Sequence, residues 1–346
     1  MIKIGNILLQ PLAIDAADEV FALFSNSKVI SGYDNPPIEA KETAMVFTYR
    51  IIKGSNAIWK ISLAKKPQEL IGICALHNYN ANKRTIEIGG TLLPAYWNKN
   101  IMAIALERII KYALANFNLK KIGAKTGPTN IQAIRLVSKL GFVKSKVTVN
   151  ETELELNVDK KAIIEQAANY LTKGEIILSP TDTIWGLSCN ALLPTSIEKI
   201  DRIKNRPATK TYIVLIKDFK DLSNYVSVSA DKVNTLLKDR KKPTTIIYPL
   251  KNKLLQHLAH SDHTLAIRIP QKGFIATLLQ QINFPIVSTS ANLSGEVAPI
   301  SFSTINSVVR NAVDYIIPPV MDTEGSAKAS SIIKILGNDE VNVIRE

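Results

Sequence analysis

The chain has 346 residues, 46% hydrophobic and 21% charged, with 15 glycines and 16 prolines; this length suggests about two domains, and the composition excludes a disordered, collagen-like or disulfide-scaffold protein. Two cysteines, Cys74 and Cys189, are too few for a disulfide framework or CxxC knuckle, no apolar run reaches the ~18–20 residues of a membrane helix, and the acidic opening (Asp15, Asp18, Glu19) is unlike a signal peptide, so a reduced, cytoplasmic protein without a membrane partner is expected. Forty-three Lys and Arg against 30 Asp and Glu leave +13, a field that favours nucleotides or RNA, although Lys-, Asn- and Ile-rich usage alone also produces such a balance.

IGNILLQPL reads as a strand leading into AADEVFALFSN, a helix with Val20, Phe21, Leu23 and Phe24 as its apolar positions. AIWKISLA, ELIGICALHNY and TIEIGGTLL follow as a meander of strands between turn clusters. IMAIALERIIKYALANF is helical, with Ile101, Ala105, Ile109, Tyr112 and Ala113 on one face, and NIQAIRLVSKL is a shorter helix stopped by Gly141. TELELNV closes this part as a strand. DKKAIIEQAANYLTKG and GEIILSP then begin a new helix and strand, so the domains are expected at 1–157 and 159–346, joined without a Gly/Ser or Pro linker. In the second, the strand-like runs KTYIVLI, TTIIYPL, TLAIRIP, PIVSTSA, VDYIIPP and SSIIKIL alternate with helical or loop segments, an α/β pattern.

Four polar clusters sit at strand ends, where an α/β sheet places its ligand crevice. SPTDTIWGLSCNA offers Thr181, Asp182 and Thr183 before Gly186, or else an ordinary turn with a helix N-cap. KIDRIKNRPATK gathers Lys204, Arg206 and Lys210 before and beyond a helix-ending proline, a phosphate clamp or a solvated helix end. PIVSTSANLSG places Ser288, Ser290, Asn292 and Ser294 after an apolar strand, where a strand-to-helix turn would make an anion nest. Arg268 lies inside the strand TLAIRIP, pointing to solvent or into the crevice. HLAHSDH holds His257, His260 and His263 but no second carboxylate or Cys, so a solvated loop is expected rather than a zinc site. There is no GxxxxGK[ST], so phosphates must be held by side chains and nests.

Together these clusters resemble the YrdC-type threonylcarbamoyl-adenylate synthase family over residues 159–346. The family's P-T-E-T-x-Y-G-L stretch is similar to Pro180–Leu187, its K-x-R to Lys204-Asn205-Arg206, its S-x-N to Ser290-Ala291-Asn292, its A-x-R-x-P to Ala266–Pro270, and its S-T-V to Ser330-Ser331-Ile332, with Arg345 near the terminus. Trp185 stands at the family's Tyr, and Arg240-Lys241-Lys242-Pro243-Thr244-Thr245 at its W-P-G-P-x-T. The resemblance implies a twisted open α/β sheet and an enzyme that makes threonylcarbamoyl-AMP from L-threonine, bicarbonate or CO2, and ATP for a tRNA adenosine beside the anticodon. In that reading Lys204 and Arg206 are catalytic and, with Lys210 and Arg268, neutralise the triphosphate beside Mg2+. Thr183 and Ser330 hold threonine, Ser290 and Asn292 hold the nucleotide, and Arg345 completes the site. The implied partners are tRNA or RNA and later tRNA-modification proteins. The rival is a non-catalytic RNA-binding module on the same basic crevice.

Residues 1–157 resemble a GNAT N-acetyltransferase in SNSKVI with Pro36-Pro37, in IEIGGTLLPAYWNKNIMAIAL, and in Asn130–Ala133 leading to Lys139–Phe142. The resemblance implies a mixed sheet with helices, α+β in character, and a loop wrapping the pyrophosphate of acetyl-coenzyme A, with Asn98, Asn100 and Asn130 as its candidate residues. Asn98 and Asn100 occupy glycine positions, and Ala103 and Ala105 stand where an acidic residue is usual. Asparagine tolerates left-handed backbone angles, but its side chain intrudes on the phosphates. Weak or absent acetyl-coenzyme A binding is expected, leaving open a weak acetyltransferase or a decayed scaffold.

Overall fold

The computed structural model describes residues 1–30, 38, 42–205, 212–228, 233, 237, 240, 242–251, 253–323, 328–336 and 341–346. They form two units, Met1–Asp159 and Lys160–Glu346. Among the described residues no helix is long and apolar enough to cross a membrane.

The first unit is an eight-stranded sheet in the order β1-β2-β3-β4-β5-β6-β8-β7. The single strand expected over IGNILLQPL is a hairpin, because Gly5 at φ 55° reverses the chain between β1 (Ile2–Ile4) and β2 (Ile7–Pro11). The meander appears as β3 (Ser55–Leu63), β4 (Gly72–Asn80) and β5 (Thr85–Leu92), all antiparallel. Helices α1 (Ala17–Ser25) and α2 (Ala44–Lys53) bury Val20, Leu23, Phe24 and Phe47 in one cluster with Ile58 and Ile73. Helix α3 (Ile101–Asn116) and α4 (Ile131–Lys139) complete the helical part. β5 runs parallel to β6 (Lys121–Thr126), but the pairing lasts only from Thr85 opposite Lys121 to Ile88 opposite Ala124. Beyond that, β5 stays with β4 and β6 stays with β8 (Thr152–Asn157), so the parallel pair opens as a wedge. β7 (Val143–Val147) covers only β8, and all five of its residues are exposed.

The second unit is a nine-stranded mixed sheet in the order β15-β9-β10-β14-β11-β13-β12-β16-β17. The strands are β9 (Ile177–Ser179), β10 (Gly186–Asn190), β11 (Ile213–Leu215), β12 (Thr244–Pro249), β13 (Thr264–Arg268), β14 (Ile286–Ser290), β15 (Tyr315–Ile316), β16 (Ser331–Ile335) and β17 (Val341–Arg345). Its helices include α5 (Lys160–Thr172), α6 (Pro194–Lys204) and α7 (Gly273–Leu279). Because successive side chains leave opposite faces of a strand, the cross-strand register sorts this sheet into two faces. One face puts Leu178, Leu187, Val287, Val214, Ile267, Ile246 and Ile333 into a large apolar cluster with Trp185 and Ile200. The other begins apolar, with Ile177, Ile286 and Leu215 packed with Ile163 and Ile164 of α5 and Leu278 of α7. It continues polar: the same parity brings up Ser179, Ser188, Ser288, Ser290, Arg268 and Thr245. A buried face that changes from aliphatic to hydroxyl and guanidinium along its length is where ligand chemistry belongs.

Candidate active site

Residues 180–185 connect β9 to β10, and the chain continues as a strand rather than entering the helix that an N-cap reading expects. Thr181 folds the loop on itself: its Oγ1 donates to the Ile184 carbonyl at 2.7 Å, accepts from the Thr183 N–H at 3.1 Å, and lies 2.9 Å from Thr183 Oγ1. Thr181, Asp182 and Thr183 are all buried, so the loop turns its polar groups inward. Gly186 then allows β10 to approach β14, since a Cβ there would sit 3.0 Å from Ser288 Oγ and from the Thr289 carbonyl.

No helix follows Ser290 directly; the next helical element is the 3-10 turn Phe302–Thr304. The expected strand-to-helix turn is therefore not formed, and the turn that follows β14 directs carbonyls at a cation. Lys204, the last residue of α6, reaches into it with only 3% of its surface exposed. Its Nζ donates to the carbonyls of Ser290 at 2.5 Å and Asn292 at 2.6 Å, with Asn292 Oδ1 at 3.5 Å. The Lys204 carbonyl accepts from Ser294 N–H at 2.9 Å, and Asn205 ends the helix at φ 49°. Asn292 Nδ2 donates to the carbonyls of Leu293 and Glu296. The ammonium thus joins the K-x-R and S-x-N segments into one piece. Arg206 and Lys210, and Lys241 of the altered segment, lie outside the described residues.

Arg268 does not point to solvent. It is 5% exposed, and its Nη2 lies 3.1 Å from Asp182 Oδ1, an ion pair reaching from the 180–185 loop to β13. Four strand-to-strand steps separate β9 from β13, and at roughly 20–25° each the sheet turns through about a right angle between them. The pair is close without an aligned hydrogen bond: Asp182 Oδ1 and Arg268 Nε, with Ser179 Oγ and Ser188 Oγ, meet no hydrogen-bond partner. Burial lowers the Arg268 pKa, the Asp182 carboxylate opposes that shift, and the Arg345 charge adds to it. Arg345 of β17 donates from Nε (3.0 Å) and Nη2 (2.6 Å) to the Ser330 carbonyl, while Ser330 Oγ lies 2.8 Å from Thr245 Oγ1.

Thr245 is the threonine retained from the W-P-G-P-x-T segment, whereas Asp322 carried no sequence signal; the Asp322 Oδ2 accepts from Trp185 Nε1 at 2.7 Å. A concavity lined by Lys217, Gln271, Lys272, Thr277 and Gln280 contains none of the expected site residues. In the histidine loop, His257 approaches the Ala191 carbonyl and Asp262 pairs with Lys334 at 2.5 Å. Among the described residues no three His, Cys, Asp or Glu gather as a metal site. In the first unit Asn98 and Asn100 both adopt φ 60°, the left-handed conformation of a glycine loop, and Asn100 precedes α3. Asn130 caps α4, its Oδ1 accepting from Ala133 N–H at 3.1 Å.

Residues 169–346, just over half of the chain, match the Sua5–YciO–YrdC sequence family, described as telomere recombination. The chain belongs to this family. Residues 6–143 match the GNAT acetyltransferase domain. Threonylcarbamoyl-AMP synthase of Hydrogenovibrio crunogenus is 31% identical over 137 residues, covering 38% of this chain and 74% of that protein. The synthase of the same name from Idiomarina loihiensis is 30% identical over 176 residues, covering 50% and 94%. The crystal structure of P. abyssi Sua5 complexed with L-threonine is similar at 24% identity with a TM-score of 0.48, covering 55% of each chain, so this chain spans little more than half of that protein's length.

Proposed function

We propose that residues 160–346 synthesise threonylcarbamoyl-AMP, with release of pyrophosphate, from L-threonine, bicarbonate or CO2, and ATP, for threonylcarbamoyladenosine formation in tRNA. The observation that carries this reading is the polar half of the second unit's sheet face, with Arg268 and half-buried Ser290, together with buried Thr183, Asn292 and Ser330 in the segments next to its strands, all in the family's order. In the reaction an oxygen of N-carboxy-threonine attacks the α-phosphorus, a new P–O bond forms, and the bond to pyrophosphate breaks. The protein's task is positioning and charge stabilisation. Thr183 and Ser330 hold threonine; Ser290 and Asn292 hold the nucleotide, shaped by Lys204. Arg206, Lys210 and Arg268 supply permanent or near-permanent positive charge toward the triphosphate, and Mg2+ enters with ATP as part of the substrate.

Pyrophosphate release that requires threonine, bicarbonate and ATP together is the expected result. Salt-sensitive RNA binding without ATP turnover would instead favour the binding-module reading. For the first unit we propose weak or absent acetyl-coenzyme A binding. Its loop already has the backbone shape that glycines would give, and the Asn98 and Asn100 side chains add bulk where phosphates must approach the N–H groups. Downstream tRNA-modification proteins, the implied partners, would receive the threonylcarbamoyl group.

A further inference from the structure

Trp185 is buried at 2% exposure, its ring packed against Phe302 at 5.1 Å between centroids, in the core on the apolar side of the sheet. An indole in such a place needs a partner for its one N–H. It finds that partner 137 residues later, in the half-buried Asp322 carboxylate at 2.7 Å. Asp322 closes the 3-10 turn Pro319–Met321, held by its own N–H to the Pro319 carbonyl at 3.0 Å. That turn follows Ile317, whose N–H is fixed to the Leu178 carbonyl of β9 at 2.9 Å. From here the chain must travel from β15, one edge of the nine-stranded sheet, to β16, the eighth strand in order. It arrives at Ser330, anchored by Thr245 and Arg345. The Trp185–Asp322 bond therefore ties the start of this crossing to the loop that carries Thr183, while the far end of the crossing delivers Ser330.

We infer that Asp322 is a positioning residue for the amino-acid half of the site: through Trp185 it sets the 180–185 loop, and hence Thr183, relative to the crossing that leads to Ser330. The inference rests on the proposed threonine-activating function and adds a residue to it. The nucleotide half has its own side-chain anchor, Lys204 gripping Ser290 and Asn292; it meets the Trp185 segment through main-chain contacts, with Ala291 N–H donating to the Trp185 carbonyl at 3.0 Å and Gly186 paired with Ser290, and truncating the Asp322 side chain does not remove these. Loss of the latch should therefore separate the two substrates, which a general loss of folding would not do. A charge-assisted hydrogen bond at a partly buried site is strong enough for its loss to change binding by roughly tenfold.

The test uses the full chain and steady-state pyrophosphate release. Asp322→Ala and Trp185→Phe should each raise the threonine KM by roughly tenfold while leaving the ATP KM within about twofold. Asp322→Asn, whose amide oxygen still accepts from the indole, should recover most of the threonine affinity, and the Asp322→Ala/Trp185→Phe pair should be no worse than either single change. In parallel, the Trp185 indole N–H resonance, assigned among three tryptophans by its disappearance in Trp185→Phe, should move in Asp322→Ala. A wild-type threonine KM in Asp322→Ala, equal losses for threonine and ATP, or no recovery in Asp322→Asn overturns the inference. If the wild-type chain shows no threonine-dependent release, the proposed function fails, and an unmoved indole resonance in Asp322→Ala would then separately refute the latch.

Discussion

Lys204 and Arg206 occupy one short motif, yet the Lys204 ammonium is bound inside the protein by two carbonyls, at 2.5 and 2.6 Å. Lys204→Ala leaves those carbonyls buried without a donor, so it should cost about 1–3 kcal/mol of stability as well as activity. Lys204→Arg should not rescue it, because a planar fork does not fit a turn built around a compact ammonium. Arg206→Ala should lower kcat/KM by on the order of 10²-fold, and Arg206→Lys should fall short of the wild type because the bidentate fork is lost. Steady-state pyrophosphate release checks all four. The Asp182–Arg268 pair makes a sharper contrast. Both side chains are 5% exposed, and removing one partner of a buried pair typically costs about 3–5 kcal/mol, whereas replacing both with apolar groups is often neutral. Urea unfolding should therefore show Asp182→Ala strongly destabilised and Asp182→Leu/Arg268→Met largely restored, while the double variant should stay inactive if Arg268 has the triphosphate role proposed for it.

At the scale of elements, amphipathic periodicity made the helices legible, and Val/Ile-rich runs such as TTIIYPL and PIVSTSA made the central strands so. β10 was harder, because Gly-Leu-Ser-Cys-Asn is buried throughout yet poor in β-branched residues; its membership comes from pairing with β9 and β14. β7 is the converse: VKSKV is exposed throughout and is a strand only through its partner β8. The site was legible as a set of motifs and not as a set of contacts. Nothing in the local pattern around Lys204 announces a buried lysine, and Asp322 lies far from Trp185 in sequence. The histidine loop has its own tie to the sheet, Asp262 to Lys334 of β16, which with Thr264 lowers the Asp262 pKa to about 2 from 3.8. A depressed folded-state pKa contributes stability above the unfolded value that is lost as pH falls through the folded one. Asp262→Asn should accordingly be slightly less stable than wild type at neutral pH, with the gap closing between about pH 4 and pH 2 in thermal melts. The effect should be small, since the Asp262 side chain is 48% exposed.

The whole molecule carries +13 and two units whose expected ligands share a chemical fragment, since coenzyme A and ATP both contain an adenine nucleotide with a pyrophosphate. Calorimetric titration of the full chain with acetyl-coenzyme A must therefore be run with the ATP site saturated by a non-hydrolysable ATP analogue; otherwise the basic second unit reports binding that belongs to it. Under that condition the expected result is binding weaker than micromolar or none. The parallel pairing of β5 and β6 stops at Ile88 and Ala124, and Asn98 and Asn100 both hold the left-handed φ of 60° that glycines would adopt. What remains is the added bulk of two side chains. Asn98→Gly/Asn100→Gly should then restore micromolar binding, with the gain reduced in part by the backbone entropy that glycine adds to the unbound loop. Micromolar affinity in the unaltered chain would show that the amides serve as donors to the phosphates. No binding in the double variant would place the defect beyond the loop, where Ala103 and Ala105 replace the usual acidic residue, and would identify the first unit as a scaffold that keeps the acetyltransferase fold without its cofactor.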